Sequence, residues 1–304
     1  MCELNTNERK DNKMAKKKLS ITDFYAMKEK GEKVAWMTAY DAPFASYAEK
    51  AEMDMILVGD SMGMIVFGME GTVPVTMDMC IMHCQAVKRG AKKTYVIGDM
   101  PFGSYHTSCE DAVYNAVRFC KEAEVDAIKL EGGVRVADKI KAISDAGIVV
   151  FGHIGLTPQS SAAMGGFKAQ GRTTDSAKAV IDDAIAVCEA GARAILVEGV
   201  PEEVCQFIHE NLPIPVYGIG AGGHNDGELL VMGDAMGMFE AFTPKFVKKF
   251  ANIAEVATKG FEDYVKEVKA GTFPAEEHKY KIAENIEDFE KLFAEEKKKF
   301  DKLV

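Results

Sequence analysis

Short apolar runs rich in β-formers alternate with amphipathic helical stretches along this chain, and that alternation most limits what it can fold into. The runs are "KVAWMTAYD", "MDMILVGDS", "KTYVIGDMP", "DAIKLEGG", "IVVFGHIGL", "RAILVEGVP" and "IPVYGIGAG". Between them lie "APFASYAEKAE", "TMDMCIMHCQAVKRGA", "SCEDAVYNAVRFCKEAE", "RVADKIKAISDAG", "DSAKAVIDDAIAVCEAGA" and "EEVCQFIHEN", most with apolar residues at three- and four-residue steps. Repeated strand–helix units specify a parallel sheet, and near-continuous apolar strands fit a sheet buried on both faces. Seven units plus an expected eighth predict an α/β fold, a (β/α)8 TIM barrel over about Lys33 to Gly271. An open doubly wound sheet is the alternative. For the eighth strand, "ELLVMGD" and "KFVKKF" compete.

The flanks read differently from the repeat. Residues 1–19 form a polar arm carrying "KKK" at Lys16 to Lys18. The stretch "SITDFYAMKEKGEK" then predicts an N-terminal helix, with cap candidates at Ser20 and Thr22 and a stop at Gly31. Beyond Pro274, Ile282, Ile286, Phe289 and Phe293 recur at helical spacing among Glu and Lys, which predicts a C-terminal amphipathic helix in residues 281–304. Its apolar face must bury against protein, either this subunit's barrel or a neighbour's. The expected organisation is therefore an arm (1–19), a catalytic barrel domain (20–280) and a C-terminal helix (281–304).

Composition narrows the function classes. A chain of 304 residues with 47% hydrophobic content has room for one large domain. A net charge of −10 works against a nucleic-acid partner, since phosphate backbones need a clustered Lys/Arg face. No apolar run approaches the ~20 residues of a membrane span, and the N-terminus lacks the apolar core of a signal peptide, so a cytoplasmic protein is expected. The seven cysteines are odd in number and form no C-x-x-C pair, which indicates reduced thiols rather than a disulfide framework or a zinc site.

In a barrel of this type the active site gathers at the carboxyl ends of the strands. Read in order, those ends carry Asp41, Asp60 with Ser61, Asp99, Lys129 with Glu131, His153, Glu198 and the glycines of "GIGAGG". Alone, Asp60 reads as the N-cap of a following helix. Together, Asp60, Asp99, Glu131 and Glu198 would converge on one mouth, where clustered carboxylates repel unless a cation sits among them. An all-oxygen donor set selects a hard ion, Mg2+ or Mn2+; caps and structural pairs are the other reading. An ion held by two or three carboxylates keeps positions open for the carboxylate and ketone oxygens of a 2-oxo acid. Such chelation acidifies the carbon beside the ketone, and Glu198, set apart from the other acids, suits the proton acceptor.

The motifs "MTAYDAPFASYAEKA", "ILVGDSMGMIVFG", "GDMPFGSY", "IKLEGG", "GHIGLTPQSSAAMGGFKAQGRT", "LVEGVP", "PKFVKKF" and "EEHKY" follow in unbroken order from about Ser20 to Tyr280. Together they resemble the ketopantoate hydroxymethyltransferase family. The resemblance implies a barrel of the phosphoenolpyruvate/pyruvate type, assembled as a homodecamer, that uses Mg2+. It also implies 5,10-methylenetetrahydrofolate as co-substrate and 3-methyl-2-oxobutanoate as acceptor. By the same resemblance, Asp60 and Asp99 are direct Mg2+ ligands that border the 2-oxo acid, and Glu131 is the third metal-site acid. Ser61 contacts the substrate carboxylate, Lys129 contacts substrate oxygens, His153 lines the pocket and Glu198 accepts the proton. Departures from the family pattern are Gly199 in place of a cysteine, Phe167 and Ala169 in place of Tyr and Val, and Gly233 in place of a histidine. None of them removes a proposed ligand or the base.

Other signals are weaker. "GIGAGG", Gly218 to Gly223, matches G-x-G-x-x-G, but it follows six strand–helix units where a dinucleotide motif would open one, so close packing at the barrel mouth is the expectation. His83 shares helical spacing with Cys80 and Cys84 and reads as a packed histidine. Two rival functions remain at this level. A Mg2+-dependent lyase or phosphonomutase would want the same acids, yet no motif for a reactive loop cysteine is present. A non-catalytic metal-binding assembly protein on an old barrel would be expected to have lost Glu198 or an aspartate.

Overall fold

Eight parallel strands close into a barrel in sequence order, the eighth returning to the first. They are β1 (Val34–Thr38), β2 (Met55–Val58), β3 (Tyr95–Asp99), β4 (Ala127–Glu131), β5 (Val150–Gly155), β6 (Ala194–Glu198), β7 (Val216–Ile219) and β8 (Gly227–Leu230). The computed structural model describes residues 17–240 and 242–303. Most of the arm read from the sequence, including Lys16, therefore lies outside the described residues. Helices fill the intervals where amphipathic stretches were read, among them Ala42–Lys50, Met77–Gly90, Cys109–Glu122, Ala137–Asp145, Thr174–Glu189 and Glu202–Asn211. Their starts carry the expected chemistry: Thr76, Ser108 and Thr173 each cap a helix by accepting a backbone N–H three residues on. Asp41 does the same for Phe44 at 2.8 Å, so this strand-end acid is a cap.

The strands alternate between two cores, which their uniform hydrophobicity conceals in the sequence. In β2, Met55 and Leu57 join the barrel interior, while Ile56 and Val58 join the layer under the helices. In β6, Ala194 and Leu196 face inward, while Ile195 and Val197 face the helices. The interior layer is filled, not hollow: Trp36 packs against Tyr217 at 5.3 Å between ring centres, and Phe151 stacks on Tyr217 at 6.2 Å. The N-terminal helix, Ile21–Lys30, contributes Phe24 to this interior, edge-on to Tyr95 at 5.1 Å. It begins after Ser20, whose N–H donates to Asp23, and ends at Gly31 with φ of 70°, as its cap signals predict.

The competition for the eighth strand is resolved in favour of "ELLVMGD". Gly227 to Leu230 pair with Val34 to Met37, and Leu229 fills the interior. A side chain at Gly227 would strike the Val34 carbonyl, so the closing contact needs glycine there. "KFVKKF" runs through turns and irregular backbone.

The chain divides into two compact units, one ending at Ala251 and one beginning at Asn252, whereas the sequence reading carried the barrel domain to residue 280. The second unit holds the helix Ile253–Ala270, unforeseen in the sequence, and the helix Ile286–Phe300. The last helix starts four residues later than Ile282, because the Asn285 side chain caps the Glu287 N–H and Ile282 stays outside the helix. The six cysteines among the described residues are free thiols. No described helix is long and apolar enough to cross a membrane.

Candidate active site

The inward register that buries the aromatic layer places a second layer two residues further along the same strands. Ile97 is followed by Asp99, Ala127 by Lys129 and then Glu131, Phe151 by His153, and Leu196 by Glu198. Strand pairing sets Asp99 beside Lys129 and Glu131 beside His153. Asp60 and Ser61 enter from the turn after β2, before the short helix Met62–Ile65. All seven residues line one cavity of about 700 Å3 at the carboxyl ends of the strands. The structure thus brings together every site residue read from the sequence.

Charges here are buried and interlinked. Lys129 Nζ lies 2.9 Å from Asp99 Oδ1 and 3.6 Å from Glu131 Oε1, with Lys129 itself 2% exposed. Burial opposes its ammonium, but Asp99, Glu131 and Asp60 outweigh that and raise its pKa. His153 bridges two carboxylates, with Nδ1 3.4 Å from Glu131 and Nε2 3.1 Å from Glu198, while Lys129 Nζ stands 3.2 Å from Nδ1. Burial and Lys129 depress the imidazole, the two glutamates raise it, and the glutamates prevail, giving about 9. Burial also raises the Glu131 carboxyl, but Lys129 and His153 more than offset it and hold it below its usual range.

Asp60 and Asp99 behave in the opposite way. Burial first, then the nearby Asp99 and Glu131 charges, push Asp60 well above the ordinary carboxylate range. Asp99 is raised by burial despite Lys129. The Asp60 N–H donates to Asp99 Oδ2 at 3.1 Å, which fixes the two residues side by side. Asp99 Oδ1, although close to Lys129, has no aligned hydrogen-bond partner. Two adjacent acids raised first by burial and further by neighbouring carboxylates suit a hard divalent cation. Among the described residues no three His, Cys, Asp or Glu side chains enclose such an ion unaided. Asp60 and Asp99 are therefore the direct candidates, and Glu131 faces Lys129 and His153.

Three supporting residues escaped the sequence reading. Gln159, in the turn after β5, donates from its side chain to Asp60 Oδ2 at 2.8 Å and to the Met100 carbonyl at 3.0 Å, and its backbone N–H donates to Glu131 Oε2 at 3.0 Å. Tyr105 donates to Gln159 Oε1 at 2.5 Å and accepts the Glu131 N–H at 3.1 Å. Tyr40 shares a 2.8 Å hydrogen bond with Ser61 and accepts another from Thr38. None of the three lies at a strand's final inward position, the pattern that exposed the others. The "GLTPQ" motif was the one available signal for Gln159.

The family described as ketopantoate hydroxymethyltransferase matches residues 18–276. The chain belongs to that family. A 3-methyl-2-oxobutanoate hydroxymethyltransferase of Alkaliphilus metalliredigens is 64% identical over 282 residues, covering 93% of this chain and 99% of that protein. The Clostridium beijerinckii enzyme of the same name is 49% identical, covering 91% and 100%. Solved structures share the barrel at low identity. A phosphonopyruvate hydrolase in complex with oxalate and Mg++ superposes with a TM-score of 0.57 at 14% identity over 91% of this chain and 98% of that one. A 2,3-dimethylmalate lyase of the PEP mutase/isocitrate lyase superfamily gives 0.55 at 15% over 93% and 98%. Gly233, where the family resemblance led to the expectation of a histidine, is closely packed. Ile65 packs where its side chain would begin, 2.8 Å from an added Cβ. The "GIGAGG" glycines serve packing, as expected: Gly222 abuts Glu202 and Gly218 abuts Asn225. His83 is a packed histidine, its Nδ1 2.5 Å from the Tyr40 carbonyl oxygen.

Proposed function

We propose that the chain transfers a hydroxymethyl unit from 5,10-methylenetetrahydrofolate to 3-methyl-2-oxobutanoate in a Mg2+-dependent reaction, giving 2-dehydropantoate for pantothenate and coenzyme A synthesis. The observation that carries the reading is the shared cavity lined by two raised, adjacent aspartates and by a separate glutamate with a histidine nitrogen 3.1 Å from its carboxylate. Asp60 and Asp99 would hold Mg2+, with Glu131 as the outer acid. Bound there, Mg2+ supplies Lewis acidity toward the ketone oxygen of a 2-oxo acid. Glu198 takes the proton from the carbon beside the ketone. His153, 3.1 Å from that carboxylate, holds it toward the cavity. Lys129 neutralises substrate oxygens beside Asp99, and the Ser61 hydroxyl, oriented by Tyr40, receives the substrate carboxylate. Family resemblance supports a homodecamer in the cytoplasm, acting on small molecules without nucleic-acid or membrane partners.

Proton removal precedes carbon transfer, so it can be measured alone. The enzyme with Mg2+ in D2O is expected to exchange the C3 hydrogen of 3-methyl-2-oxobutanoate without folate, read by proton NMR as loss of the methine and collapse of the methyl doublet. Glu198→Gln should slow exchange by about two to four orders of magnitude, the usual worth of a positioned base, with little change in 2-oxo acid affinity. A wild-type rate in that variant rules Glu198 out and directs attention to His153. A lyase or mutase would show no exchange on this branched acid, and an inert scaffold none on any.

A further inference from the structure

The cavity is larger than one small acid requires. Its volume of about 700 Å3 lies in the range of about 300–1,000 Å3 typical of drug-sized ligands, and the charged network is only part of its lining. Another part of the lining is aromatic, supplied by Phe239, Phe242 and Phe246. Phe246 lies over Gly220, where φ is +64° and an added Cβ would come within 2.6 Å of the ring. The seat of that ring exists because residue 220 has no side chain.

One carboxylate of the lining stands outside the acid network. Asp234, on the short helix Met232–Ala235, lines the cavity half-buried and close enough to the Tyr40 hydroxyl to disfavour its ionisation. Its carboxylate accepts no hydrogen bond from the described residues. Burial lifts it to about 6 against the pull of Lys249, so at neutral pH it is an ionised, free acceptor. At the exposed rim, Arg172 and Lys245 add two cations. A ligand that answers all three features has a flat ring to stack on an aromatic wall, an edge with two parallel N–H donors for a carboxylate, and an anionic tail. A reduced pterin offers that edge through N3–H and its 2-amino group, and its glutamyl tail is anionic.

We propose that Asp234 recognises the pterin edge of the one-carbon donor, with Phe246 as the stacking wall of that subsite. This rests on the folate reading given above, and the test separates the two. Calorimetry would compare tetrahydrofolate with its 2-desamino analogue on wild-type protein and on Asp234→Asn. Wild-type protein should favour tetrahydrofolate by about 10- to 100-fold, the worth of a charge-assisted hydrogen bond lost from a carboxylate. Asp234→Asn should bind both ligands alike at the weaker level, with its melting temperature unchanged. A merely structural role would lower both affinities and keep the preference. Equal preference in variant and wild type overturns the role of Asp234 and leaves the folate reading standing. If the wild-type protein binds no tetrahydrofolate, the folate reading falls and this assignment with it. Should the variant fail to fold, the wild-type comparison still decides, since a preference below threefold overturns the proposal.

Discussion

Two layers inside the same barrel, one residue pair apart on the same strands, are equally buried and opposite in character. Phe151 is 0% exposed and His153 2%; Ile97 is 0% exposed and Asp99 2%. The lower layer of Trp36, Tyr95, Phe151 and Tyr217 gains stability by taking its rings out of water, although Trp36 Nε1 and the Tyr217 hydroxyl are buried there without a hydrogen-bond partner. The upper layer loses solvation on burial and persists only because Lys129, His153 and Gln159 meet its acids. The same register thus fixes an aromatic layer that needs no ligand and a charged layer whose aspartates are strained by burial and by neighbouring carboxylates. The teaching is that burial alone does not mark structural residues in this barrel. What sets the upper layer apart is a cluster of buried acids whose charges its neighbours only partly answer.

The largest effect expected from breaking this contrast is on the upper layer. Asp60→Asn or Asp99→Asn removes an anion from a cluster that burial and repulsion already strain. Each variant should fold with a melting temperature at or above that of the metal-free wild type, while Mg2+ binding weakens sharply and turnover falls to background. Unchanged Mg2+ affinity by calorimetry in both variants, with native folding, would sink the metal assignment. A variant that unfolds instead would place these acids with the structural layer.

The lower layer should answer in the other currency. Phe151→Ala empties the space against Trp36 and Tyr217 and should cost about 3–5 kcal/mol of stability. Thermal denaturation should show a fall of roughly 10 °C for a chain of this size. Activity of the protein that remains folded, measured well below the transition, should stay within a few fold. A hundredfold loss of turnover at unchanged stability would mean that the two layers are not separable.

Three members of the upper layer were legible in the sequence because they end an apolar run: Asp99 closes "YVIGD", Glu131 closes "AIKLE" and Glu198 closes "AILVE". The inward parity itself was hidden, since strands buried on both faces show no alternation. Gln159, Tyr105 and Tyr40 were missed because a loop or a turn delivers them, and loop paths follow from tertiary packing more than from local pattern. The eighth strand stayed ambiguous for a related reason: four residues with an exposed Glu228 carry little signal, and glycine at position 227 reads as a strand weakener until Val34 is seen against it. In the C-terminal part the Ile/Phe spacing was read correctly as helical, but the Asn285 cap moved the start from Ile282 to Ile286.

The smallest expected effect concerns that C-terminal region, where neither layer exists. The helices Ile253–Ala270 and Ile286–Phe300 contain no buried residue, and Ile286, Phe293 and Phe300 are each more than half exposed. Apolar rows of this kind usually mark an interface, and a docked Ile or Phe contributes about 1.5–3 kcal/mol when fully covered. A stripe that is only partly covered should then be worth about 1–2 kcal/mol, a shift of roughly 2–8 °C. Truncation after Tyr280 is expected either to lower the melting temperature by that amount or to reduce the assembly mass by light scattering, with Mg2+ affinity preserved because the acids proposed to hold the metal lie in the first unit. The two readouts separate the occupants: a lower melting temperature at constant mass points to burial within one subunit, and a lower mass points to burial between subunits. No change in either would show the region to be a passive extension, and the contrast would then lie wholly within the barrel.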